Sequence, residues 1–160
     1  MVSFKRVICL LLPLALLANE VEVVVSADSF FADEKSQMAL LSGNVKVQKG
    51  KFDSLTSNKL EIYFDKEKNP TKFIATGSAK FKVLIKEKSY KGSADELVYD
   101  VVKNLYILKQ NAYLKDLSDS RDVYGEQITI NQTDATYKVD GNAKSKEPAK
   151  LIFKFKEPRK

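Results

Sequence analysis

The chain has no histidine, no tryptophan and a single cysteine. Without an imidazole there is no Ser-His or Cys-His nucleophile pair, no His-ligated zinc and no proton shuttle working near neutral pH. No GxxxxGKS, GxxxxGKT or GxGxxG run occurs, so no loop is built to cradle a nucleotide phosphate. No Asp-rich loop has the spacing of a calcium site. Much of the catalytic repertoire is thereby removed, and the missing chemistry points toward binding or carrying. Charge is also thinly spread: 27 Lys and Arg against 21 Asp and Glu give +6, with no Arg-rich cluster and no long cationic run. That spread argues against a nucleic-acid partner and leaves an anionic amphiphile open.

What is present fits one exported domain. A length of 160 residues, 44% hydrophobic and 30% charged, is neither disordered nor wholly membrane-embedded. Lys5 and Arg6 precede an uncharged apolar run from Val7 to Leu17, which ends at Ala18 before Asn19 and Glu20. That is the layout of a secretory signal peptide, and the run is shorter than the about 20 residues needed to span a bilayer. Residues 1–18 are expected to be removed, with a cut after Ala27 as the competing choice. An uncleaved anchor extended through Val25 would bury Glu20 and Glu22 at a steep cost. Cleavage takes Cys9 with it, so the mature domain rests on an apolar core without disulfides. It also takes Lys5 and Arg6, lowering the formal charge from +6 to +4.

Internal repeats decide the architecture. Four units each contain an alternating apolar stretch ending at Asp33, Asp65, Asp100 or Asn131, then a second ending at Gly43, Gly77, Gln110 or Gly141. The second marker recurs after 34, 33 and 31 residues, followed by Asn44-Val45, Ser78-Ala79, Asn111-Ala112 and Asn142-Ala143. Within a unit the apolar period is two, as in Phe73-Ile74-Ala75 and Leu151-Ile152-Phe153-Lys154-Phe155, and helical signals are nearly absent after Ala18. An all-β chain of about a dozen or more short strands follows. Asp33, Asp65 and Asp100 suggest paired carboxylates for hydrolysis, but their recurrence at strand ends makes turn formation the stronger reading.

One face is apolar in every unit. Before the Asp or Asn stand Phe30 and Ala32, Ile62 and Phe64, Leu97 and Tyr99, Ile128 and Ile130. Before the Gly marker stand Ala39 and Leu41, Phe73 and Ala75, Tyr106 and Leu108, Tyr137 and Val139. Beyond it, on the same face by alternation, come Val45 and Val47, Ala79 and Phe81, Ala112 and Leu114, and weakly Ala143. The Gly column is expected on this inner face, and Leu41, Phe73, Leu108 and Val139 are expected to form one row. Such a face either packs into a filled sandwich core, as apolar strand faces usually do, or lines a trough. Tyr63, Tyr99, Tyr106 and Tyr137 suit sugar stacking, but such side chains more often pack with the hydroxyl reaching water.

The stretch Leu41-Ser42-Gly43-Asn44-Val45-Lys46-Val47, the later Asn111-Ala112-Tyr113-Leu114 and the strand-Asp-turn-strand-Gly unit together resemble the LptA/OstA-like family of periplasmic lipopolysaccharide-transport proteins. The resemblance covers Val23 to about Phe155. It implies a V-shaped, twisted open jelly roll of stacked antiparallel strands over residues 19–156, followed by a basic tail, 157–160. It also implies a non-enzymatic bridge that passes lipopolysaccharide from the inner to the outer membrane. Lipid A acyl chains would lie in the interior formed by the inward positions above, leaving aside Ala32, Ala79 and Ala143, together with Phe52, Leu55, Leu151 and Phe153. Copies would join head to tail through edges near Val23 and Val25 and near Leu151 and Phe155. The ends would meet inner-membrane LptC-like and outer-membrane LptD-like domains, and an ATP-driven transporter in the inner membrane would supply the energy. Gln110 departs from the pattern, and the segment from Gly50 to Asn58 is one residue longer than expected. The alternatives are a membrane-anchored LptC-like component and a structural exported β-repeat domain with no lipid.

Overall fold

In a computed structural model of the chain, residues 21–159 are described. The expected leader, 1–18, lies outside them. The described residues form ten strands and no helix: β1 Val23–Ser26, β2 Ser29–Asp33, β3 Met38–Lys49, β4 Asp53–Phe64, β5 Pro70–Ile85, β6 Lys88–Asp100, β7 Leu105–Asp116, β8 Arg121–Asn131, β9 Thr136–Asp140 and β10 Lys150–Ile152. All pair antiparallel in one sheet with the path β1-β3-β4-β5-β6-β7-β8-β10, while β2 also pairs with β3 and β9 with β8. The first and last strands do not pair, so the sheet is open. Ten strands replace the dozen or more short ones because the Gly marker does not end a strand. It bends one, and β3 to β8 run 11 to 16 residues each.

The bend is a two-residue device repeated in register. Gly43-Asn44, Gly77-Ser78 and Gln110-Asn111 all have left-handed φ, between +46° and +80°. At each, the ladder shifts: Ser42 pairs with Lys59 but Val45 with Ser57, Thr76 with Glu96 but Ala79 with Ala94, Lys109 with Gln127 but Ala112 with Gly125. Each odd strand thus carries one residue more than its partner, which is a β-bulge. Asparagine tolerates the left-handed region and its amide is used: Asn44 Nδ2 donates to Asp28 Oδ2 at 2.9 Å, and Asn111 Nδ2 to Asp95 Oδ2 at 3.0 Å. The bulges line up across the sheet as a crease that divides every long strand into two arms.

The Gly column therefore sits on the crease rather than on the inner face. Left-handed backbone turns the side-chain direction away from strict alternation, and Gln110 is exposed. Because two residues are spent at each bend, parity returns beyond it: Ala39, Leu41 and Val45, or Ala75, Ala79 and Phe81, are all buried. The fourth unit behaves differently. β9 stops at Asp140, the backbone N–H of Asn142 donates to the Glu147 carbonyl, and the chain crosses to the second arm only as β10. Gly141 and Ala143 are exposed there. At the other end β1 and β2 are likewise two pieces of one path, broken at Ala27-Asp28.

The Asp and Asn residues closing the first arm make turns. The N–H of Lys35 donates to Asp33 Oδ1 at 2.9 Å, Asn69 to Asp65 at 2.9 Å, Lys103 to Asp100 at 3.0 Å and Thr133 to Asn131 at 2.9 Å. These side chains serve as local backbone acceptors.

The left-handed pair generates a test. A Cβ at Gly77 would lie 2.6 Å from Asn58 Nδ2 in a backbone held at φ +80°. Gly77→Ala is expected to destabilise the fold by about 1–3 kcal/mol and lower Tm by several degrees. Gln110→Gly keeps the conformation without a new clash and is expected to move Tm far less; paired thermal melts compare the two.

Candidate functional site

The apolar faces of the two arms turn toward each other. The Phe81 ring, on the second arm, stacks against Tyr106 on the first, with centroids 6.1 Å apart. Tyr106 stacks on Tyr99 at 4.3 Å, and Tyr99 on Phe73 at 6.0 Å. Lys49 Nζ, from the second arm, lies 6.0 Å above the Tyr99 ring. Burial pushes the Tyr106 hydroxyl well above the ordinary phenol range, helped by repulsion from the Tyr99 phenolate that would form beside it at high pH and by the Asp53 carboxylate. Tyr99 is raised in the same sense by burial and then by Asp53. Both phenols stay neutral at physiological pH and serve the interior as apolar bodies with polar tips.

Next to the crease the interior is filled. Leu41, Leu60, Ala75, Leu97, Leu108 and Ile128 form one row across six strands, and all are buried. The neighbouring row is Ala39, Ile62, Phe73, Tyr99, Tyr106, Ile130 and Tyr137. Phe73 thus belongs to the second row, and Ala75 takes its expected place beside Leu41, Leu108 and Val139. Counting back from the left-handed pair gives the reason: Ala75 stands two before Gly77, as Leu108 stands two before Gln110.

Toward the arm tips, over β3 to β7, the arms part. A cavity of about 210 Å³ opens there, lined by Val47, Leu55, Phe81 and Val83 from the second arm and by Phe73, Leu97, Tyr99, Val101 and Tyr106 from the first. Val23 and Pro70 reach it from the sheet edge and a tip turn, and Lys49, Asp53, Ser54 and Lys82 edge it. Of the residues expected to line a groove, Val47, Leu55, Phe73, Phe81, Leu97, Tyr99 and Tyr106 meet at this cavity. Ala39, Leu41, Val45, Ile62, Ala75, Leu108, Ala112, Leu114, Ile128 and Ile130 are closed into the core, with Phe64, Tyr137 and Val139 packed against it. Phe30, Phe52, Leu151 and Phe153 are exposed, on edge strands, in a turn and on the C-terminal segment. Lys49, Asp53, Pro70, Val83 and Val101 were not legible as lining residues. Val83 alone carried a signal, as the next inward position after Ala79 and Phe81.

Comparison with known proteins decides the family. Residues 24–136, from within β1 to the start of β9, match the family described as LptA/(LptD N-terminal domain) LPS transport protein. The chain belongs to this family. Its fold is similar to the crystal structure of LptH, the LptA-homologous periplasmic component of the lipopolysaccharide transport device of Pseudomonas aeruginosa, with a TM-score of 0.72 at 20% identity over 83% of this chain and 95% of that one. No curated protein matches by sequence. The open antiparallel architecture observed here matches the LptH fold, and the family is one of lipopolysaccharide-transport proteins.

The filled and open regions differ in what truncation costs. Leu108→Ala removes a fully buried side chain and is expected to cost about 2–5 kcal/mol. Phe73→Ala, at the wall of the open cavity, is expected to cost less despite deleting the larger group; denaturant unfolding of the two variants measures the difference.

Proposed function

We propose that this protein is a periplasmic carrier that holds the acyl chains of lipopolysaccharide between its two arms and passes them along a bridge of like domains. The observation that carries this reading is the apolar cavity between the arms, open toward the tips over β3 to β7, in a chain of a lipopolysaccharide-transport family. Each buried methylene gains about 0.8 kcal/mol, so one acyl chain of ordinary length gains on the order of 10 kcal/mol gross. A volume of about 210 Å³ falls below the roughly 300–1,000 Å³ of ordinary ligand pockets. A multi-chain glycolipid therefore requires the arms to move apart, which breaks the contact of Phe81 with Tyr106.

The reading places the chain in the periplasm after removal of residues 1–18. A cut after Ala27 would discard β1, all four residues of which pair with β3. Assembly follows from the sheet. Among the described residues, one side of β1 and β2 and one side of β9 and β10 lack strand partners, and such edges invite strand addition by another copy or by LptC-like and LptD-like domains. A head-to-tail contact does not close on itself.

Two outcomes test the proposal. A photo-crosslinking residue at Leu55 or Phe73 is expected to capture lipopolysaccharide, and one at Ile107, which faces outward, to capture little. Equal or absent adducts at all three sites in a folded protein would overturn the carrier reading and favour the structural one. Sedimentation is expected to show rods that lengthen with concentration; monomer at every concentration, or a closed two-fold dimer, would count against the bridge.

A further inference from the structure

The outward faces of the two arms differ in how their lysines are arranged. On the first arm lysines stand beside carboxylates: Lys59 pairs with Glu61 at 2.8 Å, Lys109 with Glu96 at 3.0 Å and Lys138 with Asp140 at 3.1 Å. On the second arm, outward positions alternate with Val45, Val47, Ala79, Phe81, Val83, Ala112 and Leu114, and the ladder sets lysine against lysine. Lys82 is directly opposite Lys91, and Lys91 directly opposite Lys115. Lys46, Lys80 and Lys150 lie in the adjacent outward row. Asp122 is the one carboxylate in these rows, and it is already engaged by the Tyr113 hydroxyl at 2.6 Å and by Lys115 at 3.5 Å. Asp95 at the crease and Asp53 and Glu87 at the tip lie at the borders. Among the described residues, Lys46, Lys80, Lys82, Lys91 and Lys150 make no ion pair.

Like charges directly opposite on adjacent strands destabilise a sheet. Folding therefore gives no reason for this face, while the other arm shows that the same repeat accommodates paired charges. Two features identify what it fits. All six cations are lysines, point charges on flexible stems rather than the planar forks that grip a single phosphate or carboxylate in two places. Exposed apolar and amphipathic side chains share the face: Leu84 on β5, Val24 and Ile152 on the edge strands, and Tyr124, tilted against Tyr113 at 4.9 Å with Lys150 Nζ 5.1 Å from its ring. Lysine with tyrosine and aliphatic residues on one sheet face is the composition that rests on lipid headgroups.

We infer that the outer face of the second arm docks on an anionic bilayer surface through Lys46, Lys80, Lys91, Lys115 and Lys150, none of which lines the acyl-chain cavity; of the six lysines Lys82 alone also edges it. The mature chain is mixed with vesicles of phosphatidylcholine alone or of equal parts phosphatidylcholine and phosphatidylglycerol, and co-flotation is measured. Binding is expected only to the anionic vesicles, weakening steeply as salt rises above about 0.1 M. Combined Lys46→Gln, Lys80→Gln and Lys91→Gln is expected to weaken it by roughly a hundredfold with Tm unchanged or raised. The first-arm control, Lys59→Gln with Lys109→Gln, is expected to leave it intact. No binding at low salt, equal binding to neutral vesicles, equal loss in the control, or binding to soluble polyphosphate in place of vesicles overturns the inference. Crosslinking of lipopolysaccharide at Phe73 is read separately, so failure here leaves the carrier reading standing and failure there leaves this one.

Discussion

A single antiparallel sheet with one apolar face has nothing to cover that face except itself. No helix and no second sheet packs against the described strands, so the sheet must fold over, and it can do so only if every strand bends at the same height. The left-handed pairs Gly43-Asn44, Gly77-Ser78 and Gln110-Asn111 supply the bend in alternate strands, and the bulges they create align the intervening ones. Everything inside depends on this alignment. A crease displaced by one residue in one strand would turn that strand's apolar set to solvent. The second unit shows how strictly it is kept. Two more residues separate Asp65 from Gly77 than separate the same markers elsewhere, and they are absorbed at the tip, where the ladder shifts between Tyr63 and Phe64. Within the arm, Leu60 still faces Ala75 and Ile62 still faces Phe73.

The sequence stated the repeat, the antiparallel all-β class and the apolar face because alternation and turn chemistry are local. The Asx turns at Asp33, Asp65, Asp100 and Asn131 could be read directly, since a short side chain capping its own turn needs no distant partner. What was misjudged depends on dihedral angles rather than residue type. A Gly-Asn pair reads equally well as the end of a strand or as a bulge within it, hence the overcount of strands and the placing of the Gly column on the inner face. The fourth unit shares the Gly-Asn letters but ends its strand there, because β9 has only β8 to pair with and nothing beyond it fixes the bend. The cavity was the least legible part. Inner-row residues such as Leu108 and Tyr99 look alike in sequence, and whether they meet a facing side chain depends on how far the arms have diverged at their distance from the crease.

That divergence explains why cavity and core coexist in one interior. Near the crease the arms are close, and small side chains, Ala75, Ala79 and Ala112, let them approach while Leu97, Leu108 and Ile128 fill the space between. Toward the tips the separation grows, and even Phe73, Tyr99 and Phe81 do not close it over β3 to β7. Under the proposed role, a wedge of this kind presents a graded site: an apolar chain entering from the open side gains contact area until it reaches side chains that touch across the wedge, and further entry must displace the stack of Phe81 on Tyr106.

The repeat also limits what the domain does to a cargo. Successive strands offer the interior equivalent rows, Ala39, Ile62, Phe73, Tyr99 and Tyr106 in one and Leu41, Leu60, Ala75, Leu97 and Leu108 in the other. Under the proposed role, an acyl chain sliding across the strands exchanges apolar contacts for apolar contacts of the same kind, and a non-directional burial energy changes little along that path. Stacking a second copy on the sheet edge continues the rows without altering their chemistry. Such a path lowers the barrier to movement in both directions alike. Net flow therefore has to be imposed at the ends of the path, by whatever loads cargo at one end and removes it at the other.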